Sequence, residues 1–275
     1  MQPLDARPLP GRRVPLVRRS IGVAAAVLVL GLAGGQARAQ DGARKASDDA
    51  WTVLWPIYLW ASGIEGRVGV GGNVIEVDIS FSDVVENLDG ALFLPLELRK
   101  GRWAAVLEVI AIKLGDQRGR PGRVFDRVDF ESDQTLIELS PRYRLTRPGP
   151  LTLEALAGLR LWHLSTTLTL HPADPLLPEL TLGTGELWVD PIIGVRALAE
   201  PGGGWRLNGR GDLGGFGIGS EFTWQLIGLA GYEVASGTTL FAGYRHLDVD
   251  FEDEDDGFIY DTGTGGWVIG VAIRL

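Results

Sequence analysis

Three groups of residues in this chain have side chains able to do chemistry. His163 and Ser165 stand two apart. On an extended segment that spacing puts both on one face, within potential reach for a hydroxyl nucleophile and its general base. A third, orienting carboxylate is not evident, because Glu179 lies in a proline-rich stretch and Glu186 should face inward. The run DVDFEDEDDGFIYD at 248–261 clusters carboxylates of the kind that bind Ca²⁺. Its spacing departs from the D-x-[DN]-x-[DN]-G loop, and a solvated surface loop is the preferred reading. The third group is interleaved carboxylates and guanidiniums: Glu97, Arg99, Glu138, Arg142, Arg144, Glu154, Arg160, Glu186, Asp190, Arg196, Arg206, Arg210 and Asp212. Placed on one enclosed face, such a set forms ion pairs. His171 and His246 are isolated, and no glycine-rich phosphate loop opens a helix. No cofactor, metal ligand set or catalytic residue beyond the weak candidates His163 and Ser165 is expected.

The elements that would carry these groups have period two and are bounded by Gly and Pro turns, which is strand behaviour. In 134–145, Gln134, Glu138, Ser140, Arg142 and Arg144 alternate with Thr135, Ile137, Leu139, Pro141, Tyr143 and Leu145. In 151–162, Leu151, Leu153, Ala155, Ala157, Leu159 and Leu161 oppose Thr152, Glu154, Gly158 and Arg160. Leu187, Val189, Pro191, Ile193 and Val195 oppose Glu186, Asp190 and Arg196, and Leu92, Leu94, Leu96 and Leu98 oppose Glu97 and Arg99. Short connections at Lys100-Gly101, 147–150, 201–204 and Ser236-Gly237 alternate with longer ones around 62–90, 115–132, 171–184 and 252–265. The pattern predicts about ten strands, within a range of 8–12, where a hairpin inside 63–81 would make twelve. Helical spacing occurs at 82–88, where Ser82 is the expected cap of a short helix within a long first loop at 62–90.

Composition narrows the class. The 275 residues include 39 Gly and no Cys, with 45% hydrophobic content and a net charge of −9. Thiolate chemistry and disulfides are excluded, and the acidic balance argues against a nucleic-acid partner. Arg12, Arg13, Arg18 and Arg19 precede the apolar run Ile21–Ala33, and Ala37-Arg38-Ala39 follows. That order reads as a signal peptide over 1–39, too short to span a bilayer. Residues 40–50 read as a flexible lead-in and 51–275 as one β-barrel domain.

Alternation alone does not say which face meets lipid. Aromatics beside the short turns (Trp103, Tyr143, Trp205 and Tyr232) have the placement of an interfacial belt. The polar face favours Arg, and the whole chain holds only three Lys, which suits a confined interior where the guanidinium fork bonds bidentately. The last strand ends Trp267, Ile269, Val271, Ile273 and Leu275 on one face. The expected fold is therefore all-β, an antiparallel transmembrane up-and-down barrel with apolar residues outside and charges in the lumen.

The segments DISFSDVVENLDG (78–90), ELRKGRW (97–103), DPIIGVRA (190–197), RGDLGGFGIGSEFTWQ (210–225) and AGYRHLDVDFE (242–252) resemble an uncharacterised family of proteobacterial outer-membrane β-barrel proteins. That family is similar to the small OmpA/OmpX/OmpW-type barrels. The resemblance implies a Gram-negative outer-membrane location, contact with outer-membrane lipid and lipopolysaccharide, and the barrel-assembly machinery as a partner during biogenesis. It brings no reaction. The functional expectation is a structural barrel or a narrow, porin-like conduit for small solutes. The alternative is a lipid-modifying enzyme, because the His163/Ser165 pair is similar to the arrangement in outer-membrane lipid A deacylases.

Overall fold

Burial alternates residue by residue along the strands of this chain, as expected where one face of each strand packs inward. The structure is a computed structural model that describes residues 50–70, 73–119, 125–146, 149–173, 178–253, 255 and 257–275. The expected signal peptide and all of the lead-in except Ala50 lie outside the described residues. Eleven strands and one helix follow in order: β1 Thr52–Val70, β2 Asn73–Ile79, α1 Phe81–Glu86, β3 Leu88–Lys100, β4 Trp103–Gly119 and β5 Phe125–Arg144. They continue as β6 Leu151–Pro172, β7 Leu180–Gly202, β8 Trp205–Gly214, β9 Phe222–Ala235, β10 Thr238–Asp253 and β11 Phe258–Arg274.

Each strand from β3 to β11 pairs antiparallel with the next, β1 pairs with β3, and β11 returns to pair with β1. The result is a closed antiparallel barrel of ten wall strands. The hairpin weighed for 63–81 does form, but it adds no pair of wall strands. β1 runs on through Val70, and β2 folds back on it from Ile64↔Ile79 to Val70↔Asn73 without pairing with β3. The segment 62–90 is thus mostly strand rather than loop. Its helix is capped by Ser80, not Ser82: the Ser80 hydroxyl accepts from the Asp83 N–H, and the Asp83 carboxylate accepts from the Ser80 N–H. No residue of α1 is buried, so the helix does not enter the bore.

The long connections expected around 115–132, 171–184 and 252–265 are shorter than their composition suggested, because β4–β5, β6–β7 and β10–β11 carry their ladders far past the apolar stretches. Beyond the apolar band the outward positions turn small or polar, as at Ser165, Thr167, Gly185, Asp250, Asp261 and Gly263, so the lipid-face signal fades while the backbone pairing continues. In contrast, β8 ends early. Gly215 (φ 81°), Phe216 (φ 56°) and Gly217 (φ 69°) turn the chain out of the ladder, a conformation in which glycine carries no Cβ penalty. Gly214 leaves no room beside Asp212 for a ligand, since a Cβ there would stand 2.6 Å from Pro191 O and 2.7 Å from Ile192 Cγ2.

The bore holds a hydrophobic core that the charge pattern had hidden. Trp60, Ile110, Leu136, Trp162, Leu164, Trp188, Leu247, Val249, Phe251, Phe258, Tyr260 and Val268 are buried in one cluster. At its centre Trp162 stacks on Trp188 (5.6 Å, 13°) and Trp188 on Phe251 (4.0 Å, 7°), while Tyr260 tilts against both indoles. Trp188 also donates from Nε1 to Ser220 Oγ at 2.9 Å. Truncating Trp188 to alanine should cost about 3–5 kcal/mol. The expected result is a clearly lower unfolding temperature of the detergent-solubilised barrel, followed by circular dichroism or by heat-modifiable migration on a semi-native gel.

Candidate functional site

Below that aromatic core, towards the short turns, the inward charges join across the bore. Nearest those turns is a square of four side chains. Arg99 Nη2 donates to Glu97 Oε1 (2.7 Å) and Arg99 Nη1 to Glu154 Oε1 (2.6 Å). Arg196 Nη1 closes the square on Glu97 Oε2 (3.1 Å) and Glu154 Oε2 (3.4 Å). Arg142 joins it through Nη1 to Glu97 Oε2 at 3.3 Å. These residues come from β3, β5, β6 and β7, so the square spans the bore.

A second square lies further along the strands. Arg160 Nη2 donates to Glu138 Oε2 (2.9 Å) and Asp212 Oδ1 (2.8 Å). Arg210 donates through Nη2 to Glu138 Oε1 (2.6 Å) and through Nε to Asp212 Oδ2 (2.8 Å). Gln225 Nε2 adds a donor to Asp212 Oδ2 at 3.0 Å. Glu138 and Arg160 are ladder partners on β5 and β6, both fully buried. The square carries two formal charges of each sign, which offsets part of the desolvation cost of placing them inside.

A third group was not singled out in the sequence. Arg245 grips Glu108 bidentately, Nη1 to Oε1 at 3.1 Å and Nη2 to Oε2 at 3.0 Å, and Nη1 also donates to the Tyr58 hydroxyl at 3.2 Å. Tyr58 in turn donates to Glu108 Oε1. The Arg245 guanidinium lies 4.6 Å over the Trp60 ring, a cation–π contact. Glu108 and Arg245 are single charges at inward positions of apolar segments. That was the available signal.

The remaining lumen candidates separate. Arg206 sits at the short-turn rim and pairs with Glu200 (2.9 Å) and Glu233 (2.7 Å). Arg144 and Glu186 are half-buried on inward faces and neither is free. Asp190 is buried but belongs to no square. Its carboxylate accepts from the Ser220 N–H (2.6 Å), the Ser220 hydroxyl (2.9 Å) and Trp188 Nε1 (3.3 Å). It therefore pins the 215–221 loop rather than an arginine.

His163 and Ser165 face outward, as the alternation required, with His163 exposed. Their ladder partners on β5 are Thr135 and Asp133. Among the described residues no hydrogen bond joins His163 to Ser165 or to a carboxylate, and the Asp133 carboxylate lies 3.7 Å from Lys113 Nζ. The pair is not assembled as a nucleophile with an oriented base. Among the described residues no three of His, Cys, Asp and Glu are grouped to hold a metal ion. The acidic run instead lies along β10 and β11, where Asp250 stands opposite Asp261. His171 lies between Asp129 (2.9 Å) and Glu179 (2.8 Å).

A cavity of about 120 Å³ lies among the charge groups, bounded by Pro56, Tyr58, Pro95, Leu96, Glu97, Glu108, Arg142, Arg196, Arg210 and Arg245 with apolar neighbours from β9, β10 and β11.

No protein-family model matches this chain, and no curated protein matches it in sequence. Solved structures do. Ail, the attachment invasion locus protein of Yersinia pestis, aligns over 82% of this chain and 99% of its own at 12% identity and a TM-score of 0.34. Neisserial surface protein A aligns over 81% and 96% at 11% identity and a TM-score of 0.31. The translocator domain of the autotransporter NalP from Neisseria meningitidis aligns over 84% and 93% at 13% identity and a TM-score of 0.38.

Three outcomes test the electrostatics. Glu138→Gln leaves two buried guanidiniums on one carboxylate and should cost about 3–5 kcal/mol, read as a lower unfolding temperature. The double variant Glu138→Leu/Arg160→Met, which removes one charge of each sign, should cost less than either single change. At the outer end of β10, burial raises the Asp250 carboxyl above its ordinary value, helped by Asp261, Glu252 and Glu221 and opposed by Arg67. A carboxyl raised on folding favours the folded state while protonated, and that contribution is lost as pH rises through the folded value. Asp250→Asn should therefore raise the unfolding temperature slightly at pH 7, by a few tenths of a kcal/mol, and give no gain at pH 3.

Proposed function

We propose that this chain is an integral outer-membrane barrel with a closed bore, a membrane-inserted scaffold rather than an open solute channel. The membrane part rests on the outward faces. Trp55, Ile57, Leu59, Leu94, Leu107, Ile137, Leu139, Leu159, Val189, Ile193, Val195, Leu226 and Ile269 are all exposed large apolar side chains. An exposed apolar area on this scale marks a buried interaction surface, and a closed barrel is the strand-built form able to meet lipid all round. Below this band, Trp103 packs on Tyr143 (4.8 Å) and Trp205 on Tyr232 (5.3 Å) beside the short turns, where ring amphipathy matches a headgroup layer. Above it, the outward positions turn polar at Lys113, Asp133, His163 and Asp248. No helix among the described residues is long and apolar enough to cross a membrane, which does not bear on crossing by strands.

The burial of ion-paired side chains across the bore is the single observation that carries the choice between scaffold and conduit. Two charge squares cross it, with Glu138 and Arg160 fully buried, and the Trp162–Trp188–Phe251 stack lies beyond them. A ten-strand barrel has little more bore than its own side chains fill. Purified protein reconstituted in a planar bilayer should give no discrete conductance steps, while fractionating with the outer membrane and migrating differently before and after heating. Stepwise conductance would overturn the scaffold reading. Solubility without detergent would overturn the membrane reading.

A further inference from the structure

The barrel wall has a seam between β1 and β3. β1 and β3 form three ladder pairs, Thr52↔Arg99, Val53↔Leu98 and Leu54↔Glu97, and the pairing stops there. Pairing on that side of β1 resumes only at Ile64, with β2. Extending the register brings Pro56 opposite Pro95, two residues without an N–H to give the ladder. Further along, Tyr58 comes opposite Phe93, and their rings meet at 5.6 Å. Side chains rather than ladder hydrogen bonds hold this stretch shut, and parting it breaks no ladder pair.

The cavity lies behind the seam. Leu96 belongs by alternation to the outward face of β3, yet it bounds the same cavity as the inward Arg142, Arg196 and Arg210. The cavity therefore reaches the wall at Pro56, Pro95 and Leu96. Its inner side carries a surplus cation. Three guanidiniums, Arg99, Arg142 and Arg196, share two carboxylates, Glu97 and Glu154. Arg142 is 6% exposed, makes its contact to an oxygen that Arg196 already holds, and has no hydrogen-bond partner for Nε among the described residues. A buried donor left unmet is costly, and a charged one more so.

We infer that this seam is the mouth of a binding site for a single-chain amphiphile with one anionic headgroup, a long-chain carboxylate, taken from the membrane. The carboxylate occupies the cavity against Arg142, completing the charge balance of the lower square. The cavity is too small for a whole amphiphile, so the hydrocarbon chain passes between Pro56 and Pro95 and lies along the outward apolar side chains of β1 and β3. This site rests on the membrane-inserted reading above.

The test uses the full barrel in phosphatidylcholine nanodiscs, with radiolabelled dodecanoate as probe and empty discs as the baseline. Saturable binding near one per barrel is expected. It should weaken about tenfold or more in Arg142→Gln, recover in part in Arg142→Lys, and be lost in Leu96→Trp, which blocks the mouth. Each variant is first shown to insert and to keep its heat-modifiable migration. Dodecanol and dodecyltrimethylammonium should compete at least tenfold less well than unlabelled dodecanoate. Binding no greater than to empty discs, binding unchanged in Arg142→Gln, or equal competition by the cationic amphiphile would each overturn the site. A barrel that inserts but lacks the saturable site fails this inference alone. A chain that stays in water and never enters the discs fails the membrane reading and this site together.

Discussion

Charge balance inside a narrow bore is the constraint on which the other features of this barrel depend. With the outer face given to apolar residues, the inner face receives the charges, and ten strands enclose too little space to hydrate them. A buried ion is tolerable when its partner is close and its remaining hydrogen bonds are met. The Glu138–Arg160–Asp212–Arg210 square meets the first part of that condition with four contacts between 2.6 and 2.9 Å, while Arg160 Nε has no partner among the described residues. Guanidinium suits the task better than ammonium, because one planar fork reaches two carboxylates at once. Arg160 and Arg210 both do so.

The same constraint explains the layering. Charges that cannot be hydrated are gathered where opposite partners converge, and the space above is filled by indole and phenyl rings that need few partners. Trp188 joins the layers: its ring stacks on Phe251, and its N–H meets Ser220 beside Asp190. The lower square departs from strict balance, and its extra guanidinium lies beside the stretch between β1 and β3 that lacks ladder pairing.

Much of this was legible in the amino-acid order, for a definable reason. Where lipid-facing and bore-facing residues alternate as apolar and charged, as in 134–145 and 151–162, period two identifies the strand and both of its faces. Glu97, Glu138, Arg160 and Arg210 were placed on the inner face by that signal. It fails where both faces have the same character. Trp162 and Trp188 sit at inner positions yet look like lipid-facing residues, so the aromatic core was hidden. Past the apolar band the outward face turns polar or small, so 62–70, 115–119 and 258–265 read as loop while their backbones pair as strand. Asp190 was read as one more lumen charge, because alternation reports a face and not a partner. The β1–β3 seam depends on register between segments some forty residues apart, which no local pattern records.

β6 contributes to both squares, through Glu154 and, six residues on, Arg160. A greasy-outside, polar-inside pattern cannot detect a strand that slips by two positions, because every side chain keeps its side of the wall. The charged crossings can. Slid by two, β6 would offer Leu156 or Thr152 in place of Glu154, and Trp162 or Gly158 in place of Arg160, leaving arginines on one level and acids on the other without their counterions. The interior network thus proofreads the alignment of the wall.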